Sequence, residues 1–174
     1  MQTHTWTPAS GPDVGDIVAI ARTHFESEID AIFTPDPIVY SRNLTRAVIE
    51  QFYNPGAEFL QVARDPSGAM IAYVWVIRGQ RSPWSDEEMA MPRMVHLDLG
   101  LSVRQRVRII QEMIRMWEAW AEANHIPIVC STTMRRDREG FLRLHESAGY
   151  DVRGSFAYRR LSVQSGPVHP DVLL

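Results

Sequence analysis

The chain has 174 residues, 45% of them hydrophobic and 22% charged, with a formal net charge of -3. These values exclude a disordered chain, a collagen and a disulfide-dense mini-protein, and the length fits one domain of roughly 100–200 residues. The net negative charge argues against nucleic-acid binding by bulk charge, no apolar run approaches the ~18 residues of a membrane span, and the polar start lacks a signal peptide's basic and apolar regions.

In chain order, residues 3–6 read as a short first strand and 8–12 as a turn-like break. Residues 13–25 predict a helix, with Val14, Ile17, Ala21 and Phe25 on its apolar face. Residues 29–40 hold two prolines and read as a loop; 43–52 form a second helix that Asn54-Pro55-Gly56 ends. Two strands follow, 59–64 and 70–78, joined by the turn Arg64-Asp65-Pro66-Ser67-Gly68. The second is almost wholly apolar, as a central strand covered on both faces is. Within the excursion 79–92, Ser85 and Glu88 have the capping-box spacing that starts a short helix. Residues 94–99 alternate as a strand. The strongest helix starts at Ser102, another capping box with Gln105, and carries Val107, Ile110, Ile114, Trp117 and Ala121. A β-rich run at 128–132, a short helix at 138–147 closed by Gly149, a last strand at 156–161 and an extended tail complete the chain. The strand–helix–strand unit from 94 to 132 predicts a right-handed crossover between parallel strands.

Six histidines and one cysteine, Cys130, are scattered. His96 and Asp98 lie two apart on a predicted strand and therefore share a face. They suit general acid–base work, or an Asp-His pair that orients the strand or meets a neighbouring chain. No further His, Cys, Asp or Glu group completes a metal site around them. Cys130 sits in a predicted buried strand, as a small hydrophobe does. All 18 basic residues are arginine, which codon bias explains, and Schiff-base and P-loop lysine chemistry are closed to the chain. Arg135, Arg136, Arg138 and Arg143 cluster among acidic residues as a mixed solvated surface. Trp84 lies in a polar excursion, where it suits a partner anchor.

The order of elements, with the longest helix after the fourth strand, resembles the GNAT superfamily of acyl-CoA N-acyltransferases. In that family a V-x-P-x-x-R-like segment runs into Q/R-x-x-G-x-G/A at the start of the long helix. Leu99-Gly100-Leu101-Ser102-Val103-Arg104 stands in the first place, and Arg104 to Ile109 in the second, with Val107 and Ile109 at the glycine positions. REGFLRLHESAGY, from Arg138 to Tyr150, matches the spacing of the family's N-x-x-A-x-x-L-Y-x-x-x-G-F helix, with His145 at the usual tyrosine. The resemblance covers about residues 13–161. It implies an α/β (α+β) fold, a mixed, mainly antiparallel sheet of about six or seven strands with helices on both faces. One domain, 1–161, would precede a tail, 162–174.

The two bulky glycine replacements and the missing tyrosine favour a degenerate coenzyme A site. The segments 96–102, 130–134 and 145–155 are also similar to GNAT-like proteins encoded among the virion genes of short-tailed phages. What this implies is a non-catalytic structural or assembly component of a tailed-phage particle (tail, portal or internal core). Its partners would be other protein subunits, it would need no cofactor, and it would sit in the cytoplasm or an assembled particle. The alternative is an active acetyl-CoA-dependent N-acetyltransferase acting on a small amine or a protein N-terminus. The resemblance then implies acetyl-CoA beyond Leu99 and Leu101, phosphates held by Arg104, Arg106 and Arg108, His145 as acid, and Asp98 or His96 as base.

Overall fold

The computed structural model describes residues 4–25, 33–133 and 138–154. The expected last strand, 156–161, and the expected tail lie outside the described residues. Within them, five strands form one sheet in the order β1-β2-β3-β4-β5. These are β1 (Thr5–Pro8), β2 (Glu58–Arg64), β3 (Met70–Arg81), β4 (Glu88–Leu97) and β5 (Ile128–Val129). The first four pair antiparallel, and β5 joins β4 in parallel after the crossover that the sequence predicts.

Four α-helices cover the sheet: α1 (Val14–His24), α2 (Pro37–Tyr53), α3 (Val103–Ala123) and α4 (Arg138–Ser147). One apolar cluster joins α1 and α2 to Leu60, Val62, Tyr73 and Trp75 on one face. The other joins α3 and Phe141 of α4 to Ala72, Val74, Val76 and Leu97 on the opposite face. Strand β3 feeds both clusters because its neighbours point alternately to the two faces. This is why its sequence is apolar at nearly every position.

Three local expectations are corrected. Helix α2 starts at Pro37, inside the expected loop. The Asp36 carboxylate accepts the amides of Ile38 and Val39 at 3.0 Å each, and Pro37 stands where a helix needs no amide hydrogen. No helix starts at Ser85. Its hydroxyl accepts the Glu87 amide at 3.1 Å, and Arg78 holds the Glu88 carboxylate through two bonds of 2.6 and 2.7 Å. That fork draws Glu88 into register with Arg81, so β3 and β4 extend into the excursion. At the sheet's far edge β5 spans only Ile128–Val129, so half-buried Cys130 lies just past a strand. No described helix is long and apolar enough to cross a membrane.

Candidate active site

The site is organised by β4. Trp75 of β3 faces Met94, but Val76 faces Pro92, so Arg93 is one extra residue in β4. Such a bulge bends and twists its strand. Pro92, which has no amide hydrogen, suits that place. The Arg93 guanidinium lies 5.1 Å from the centre of the Trp75 ring. The parallel ladder to β5 ends early. Met89 faces Ile128, Ala90 faces Val129, and Cys130 donates its amide to the Ala90 carbonyl at 2.9 Å. Strand β4 runs on from there to Leu97, so the two strands part at Ala90.

Beyond the bulge, His96 turns to the α1–α2 face. It is buried, and its Nδ1 lies 2.6 Å from the Tyr73 hydroxyl, which lies 2.8 Å from the Tyr40 hydroxyl. The ring stacks on His24 of α1, with centroids 4.5 Å apart and planes 4° from parallel. His24 Nε2 in turn meets the Leu97 carbonyl at 2.5 Å. Two imidazoles and two phenols from α1, α2, β3 and β4 are thus locked together under the first two helices. Burial pushes the Tyr40 hydroxyl well above the usual phenol range and outweighs the bond from Tyr73, so the phenol stays protonated.

This network borders a cavity of about 360 Å3 between α1, the start of α2 and β4. His96, Tyr40 and Met94 contribute from the network and the sheet, and Val18, Phe25 and Phe33 from the apolar wall. A cavity of this size, mostly apolar with a few convergent polar groups, is the usual form of a small-molecule site. Sequence reasoning found His96 and missed Tyr73, Tyr40 and His24. The available signal was Tyr73 itself, because one hydroxyl in a strand buried on both faces requires a partner.

Of the expected pair His96 and Asp98, His96 lies within β4 and Asp98 one residue past its end, its amide still donated to the Ile71 carbonyl at 2.8 Å. Strand β4 ends at Leu97, and exposed Asp98 begins a turn, its carboxylate accepting the Gly100 amide at 2.9 Å. A short acceptor side chain bonding its own backbone two residues on ends the strand there. Leu99 follows, exposed, and Leu101 packs partly on the α3-side core.

Ser102 caps α3. Its hydroxyl donates to the Gln105 side chain at 2.6 Å, and its amide does so at 3.0 Å. Arg104 and Arg106 in the first turn have no carboxylate partner among the described residues, whereas Arg108 donates to Glu112 at 3.1 Å. Val107 is half-buried, and Ile109 packs into the core beneath α3. The bulk that the sequence sets at the second glycine position, Ile109, is therefore spent on the core.

His145 lies elsewhere. It is buried among Trp117, Phe141 and Tyr150, with ring centroids 5.8, 4.3 and 4.9 Å away. Its Nδ1 donates to the Phe141 carbonyl at 2.9 Å, and its Nε2 has no partner among the described residues. Burial lowers its pKa and outweighs the Phe141 carbonyl and Glu118, which raise it. The neutral ring therefore presents a lone pair at Nε2. Trp117 also donates to the Tyr150 hydroxyl at 2.8 Å, so α3 is tied to α4 at His145 and to the segment that follows α4 at Tyr150. Among the described residues no three His, Cys, Asp or Glu side chains form a metal-binding group.

No protein-family model matches the chain, and no curated protein matches its sequence. Solved structures do. An aminoglycoside 6'-N-acetyltransferase from Acinetobacter baumannii matches with a TM-score of 0.66 at 12% identity, over 92% of this chain and 99% of that one. A predicted acetyltransferase with acetyl-CoA from Clostridium acetobutylicum matches at 0.65 and 13%, over 90% and 96%. A glucosamine-6-phosphate N-acetyltransferase from Arabidopsis thaliana matches at 0.61 and 12%, over 91% and 99%. At such identities the likeness concerns architecture, and the chain has the mixed α/β fold of the GNAT acetyltransferases.

Proposed function

We propose that the chain is an acyl-CoA-dependent N-acyltransferase acting on an amine held in the cavity beside His96. One observation carries the reading: buried, hydrogen-bonded His96 borders the cavity on the same strand whose ladder to β5 ends at Ala90. Acyl transfer to nitrogen needs a neutral amine, a base for its proton and an acyl donor aligned beside it. The cavity wall removes water from the amine, which favours its neutral form. His96 is the base in the tautomer whose Nδ1–H donates to the Tyr73 hydroxyl, which in turn donates to Tyr40. Asp98, exposed and turned onto Gly100, is the weaker candidate for that role.

The fold implies acetyl-CoA as donor, and the residues present fit it. Arg104 and Arg106 stand in the first turn of α3 without acidic partners among the described residues, and that helix start adds partial positive charge. Arg108 shares its charge with Glu112 and contributes less. The turn Leu99 to Leu101 leads from β4 into that helix start. Bound acetyl-CoA supplies the thioester carbon that the amine nitrogen attacks. With that donor bound, the C–N bond would form as the C–S bond broke, His96 would take the amine proton, and the thiolate would leave and take a proton from water. His145 holds the α3–α4 packing and is not required as the acid.

The test is calorimetric titration with acetyl-CoA, then thiol release over a panel of amines with wild type and His96→Ala. Binding at micromolar ligand and a loss of 100-fold or more in kcat with His96→Ala are expected. No heat at millimolar acetyl-CoA overturns the reading.

A second reading rests on exposed apolar side chains along α2: Ile38 at 82%, Phe52 at 78% and Tyr53 at 81%. That face suits a non-catalytic subunit docked on other proteins, as in a tailed-phage particle, with a coenzyme site that has degenerated. Absence of acetyl-CoA binding together with stable association in assembled particles supports it.

A further inference from the structure

Helix α2 carries two stripes on opposite sides. Leu44, Ala47 and Gln51 are its buried positions and pack inward. On the outward side Ile38, Arg42, Thr45, Ile49 and Phe52 follow one another at steps of four, three, four and three. That is the 3.5-residue spacing of a seam that packs against another helix. All five are exposed, Ile49 by 52% and the two ends, Ile38 and Phe52, by 82% and 78%. Tyr53 flanks Phe52, its ring 5.2 Å away and at right angles. Single exposed apolar residues are ordinary, but several aligned on one seam mark an interaction surface.

The seam is complementary to itself when reversed. A two-fold axis through Thr45 runs two α2 helices antiparallel. It sets Ile38 of each copy, seven residues before Thr45, against Phe52 of the other, seven residues after it. Arg42 of one copy and Glu50 of the other then fall on the same flank, about 3 Å from direct opposition along the axis. The Glu50 side chain is 40% exposed beside its own Arg46, so its carboxylate is open to a second guanidinium. Ser41 and Thr45, both small, lie about the crossing and let the axes approach to about 8–10 Å. The groove beside the seam is bounded on α1 by Gly15 and Val18. A Cβ at Gly15 would meet nothing within 4 Å, so the groove has room for a side chain from outside. One patch that supplies both apolar ends, both charges and a small centre fits an isologous contact, in which each copy presents the same surface.

We propose that the outward seam of α2 is a two-fold contact between two copies of this chain, with the helices antiparallel and crossing at Thr45. The seam from Ile38 to Phe52 is about 21 Å long at 1.5 Å per residue. A contact of one helix per copy falls at the small end of specific interfaces, so dimer and monomer exchange at micromolar protein. The inference is independent of the acyltransferase reading and competes with docking on other proteins for the same face.

The experiment uses the full chain in sedimentation equilibrium over a range of concentrations. A monomer–dimer equilibrium is expected. Ile49→Glu, at an exposed position where folding tolerates it, puts a carboxylate into the seam of both copies. It should weaken the dimer at least tenfold while leaving the circular dichroism spectrum that of wild type. Register is read by thiol crosslinking with a short bis-maleimide in a Cys130→Ser background. Thr45→Cys should crosslink to its own copy, because the two positions meet on the axis. Ile38→Cys should not, because its two copies stand about 21 Å apart. Mixed with Phe52→Cys, it should form the crosslinked heterodimer. A monomer at 100 μM and above overturns the proposal, whether the seam is then covered by residues 155–174 of the same chain or by a different protein. A dimer that Ile49→Glu leaves intact, or one in which Ile38→Cys crosslinks to itself as readily as Thr45→Cys, overturns it as well.

Discussion

Replacing Tyr73 with Phe tests the network that orients His96. Tyr73 is fully buried, and its hydroxyl makes bonds of 2.6 Å to His96 Nδ1 and 2.8 Å to the Tyr40 hydroxyl. The change keeps the ring and its packing and deletes only the oxygen between the two partners. Each buried hydrogen bond contributes a net ~0.5–1.5 kcal/mol, so the variant should lose about 1–3 kcal/mol. For a chain of this size that is a fall in Tm of roughly 3–9 °C. Urea unfolding measures it directly, with the slope unchanged because the exposed surface is unchanged. Tyr40→Phe removes one of the two bonds and should lose about half as much. The double variant is the sharper test. Once Tyr73 has no hydroxyl, removing the Tyr40 oxygen deletes no further bond between the two. The double variant should therefore be no less stable than Tyr73→Phe alone, a non-additive result. Strict additivity, or a loss below about 0.5 kcal/mol for Tyr73→Phe, would refute the network as described.

Further outcomes follow from other contacts. Ile109→Ala, at the core position where the family places a glycine, should destabilise by ~2–4 kcal/mol in thermal or urea unfolding. Arg104→Ala with Arg106→Ala should raise the Kd for acetyl-CoA about tenfold or more by calorimetry, and added salt should shrink that difference. His145→Leu tests the buried imidazole. Because its native pKa lies below the ordinary 6.5, the unfolded chain takes the proton first as pH falls. Wild type should lose stability from about pH 6.5 downward and the variant should not, read as Tm against pH. Arg64→Ala should cost about 1–2 kcal/mol near neutral pH through its bonds of 2.7 and 2.8 Å to Asp13 and Asp16. Burial raises the Asp13 pKa, but Arg64 and Ser10 outweigh it and hold it below 3.8. The stabilisation is full above that value and is lost as pH falls through the depressed one, so the variant's acid limb should be shallower.

Several elements were legible because the signal is local. The helix from Ser102 announces itself by its capping box and its 3–4 spacing, and α3 spans Val103–Ala123 as that pattern requires. Gly149, in a left-handed conformation with φ at 92°, closes α4 as a glycine there should. The start of α2 was equally local, in Asp36-Pro37, yet two prolines nearby made the stretch read as a loop. Helix initiation at Ser85 failed for a different reason. The Arg78–Glu88 fork and the pairing of Arg81 with Glu88 outweigh one hydroxyl cap.

The site divides in the same way. His96 was visible as a polar residue in an alternating strand. Where β4 ends was not legible, because it depends on the turn that the Asp98 carboxylate makes with the Gly100 amide. Tyr40, Tyr73 and His24 come from three other elements, and sequence separation hides their meeting with His96. The spacing of His145 matched a family position, but only packing against Trp117, Phe141 and Tyr150 makes it a buried neutral ring.

The sequence by itself determined the order of elements from β1 to α4, the two apolar faces of the central strand, the parallel pairing across the crossover and the capped long helix. Those follow from periodicity and short-range hydrogen bonding, which act within a few residues. Only the tertiary structure decided that β4 parts from β5 at Ala90, that Ile109 belongs to the core, and that two histidines and two tyrosines meet in one network, of which His96 and Tyr40 border a cavity. Each of these depends on contacts between residues far apart in the chain, and no local pattern encodes which distant side chain arrives.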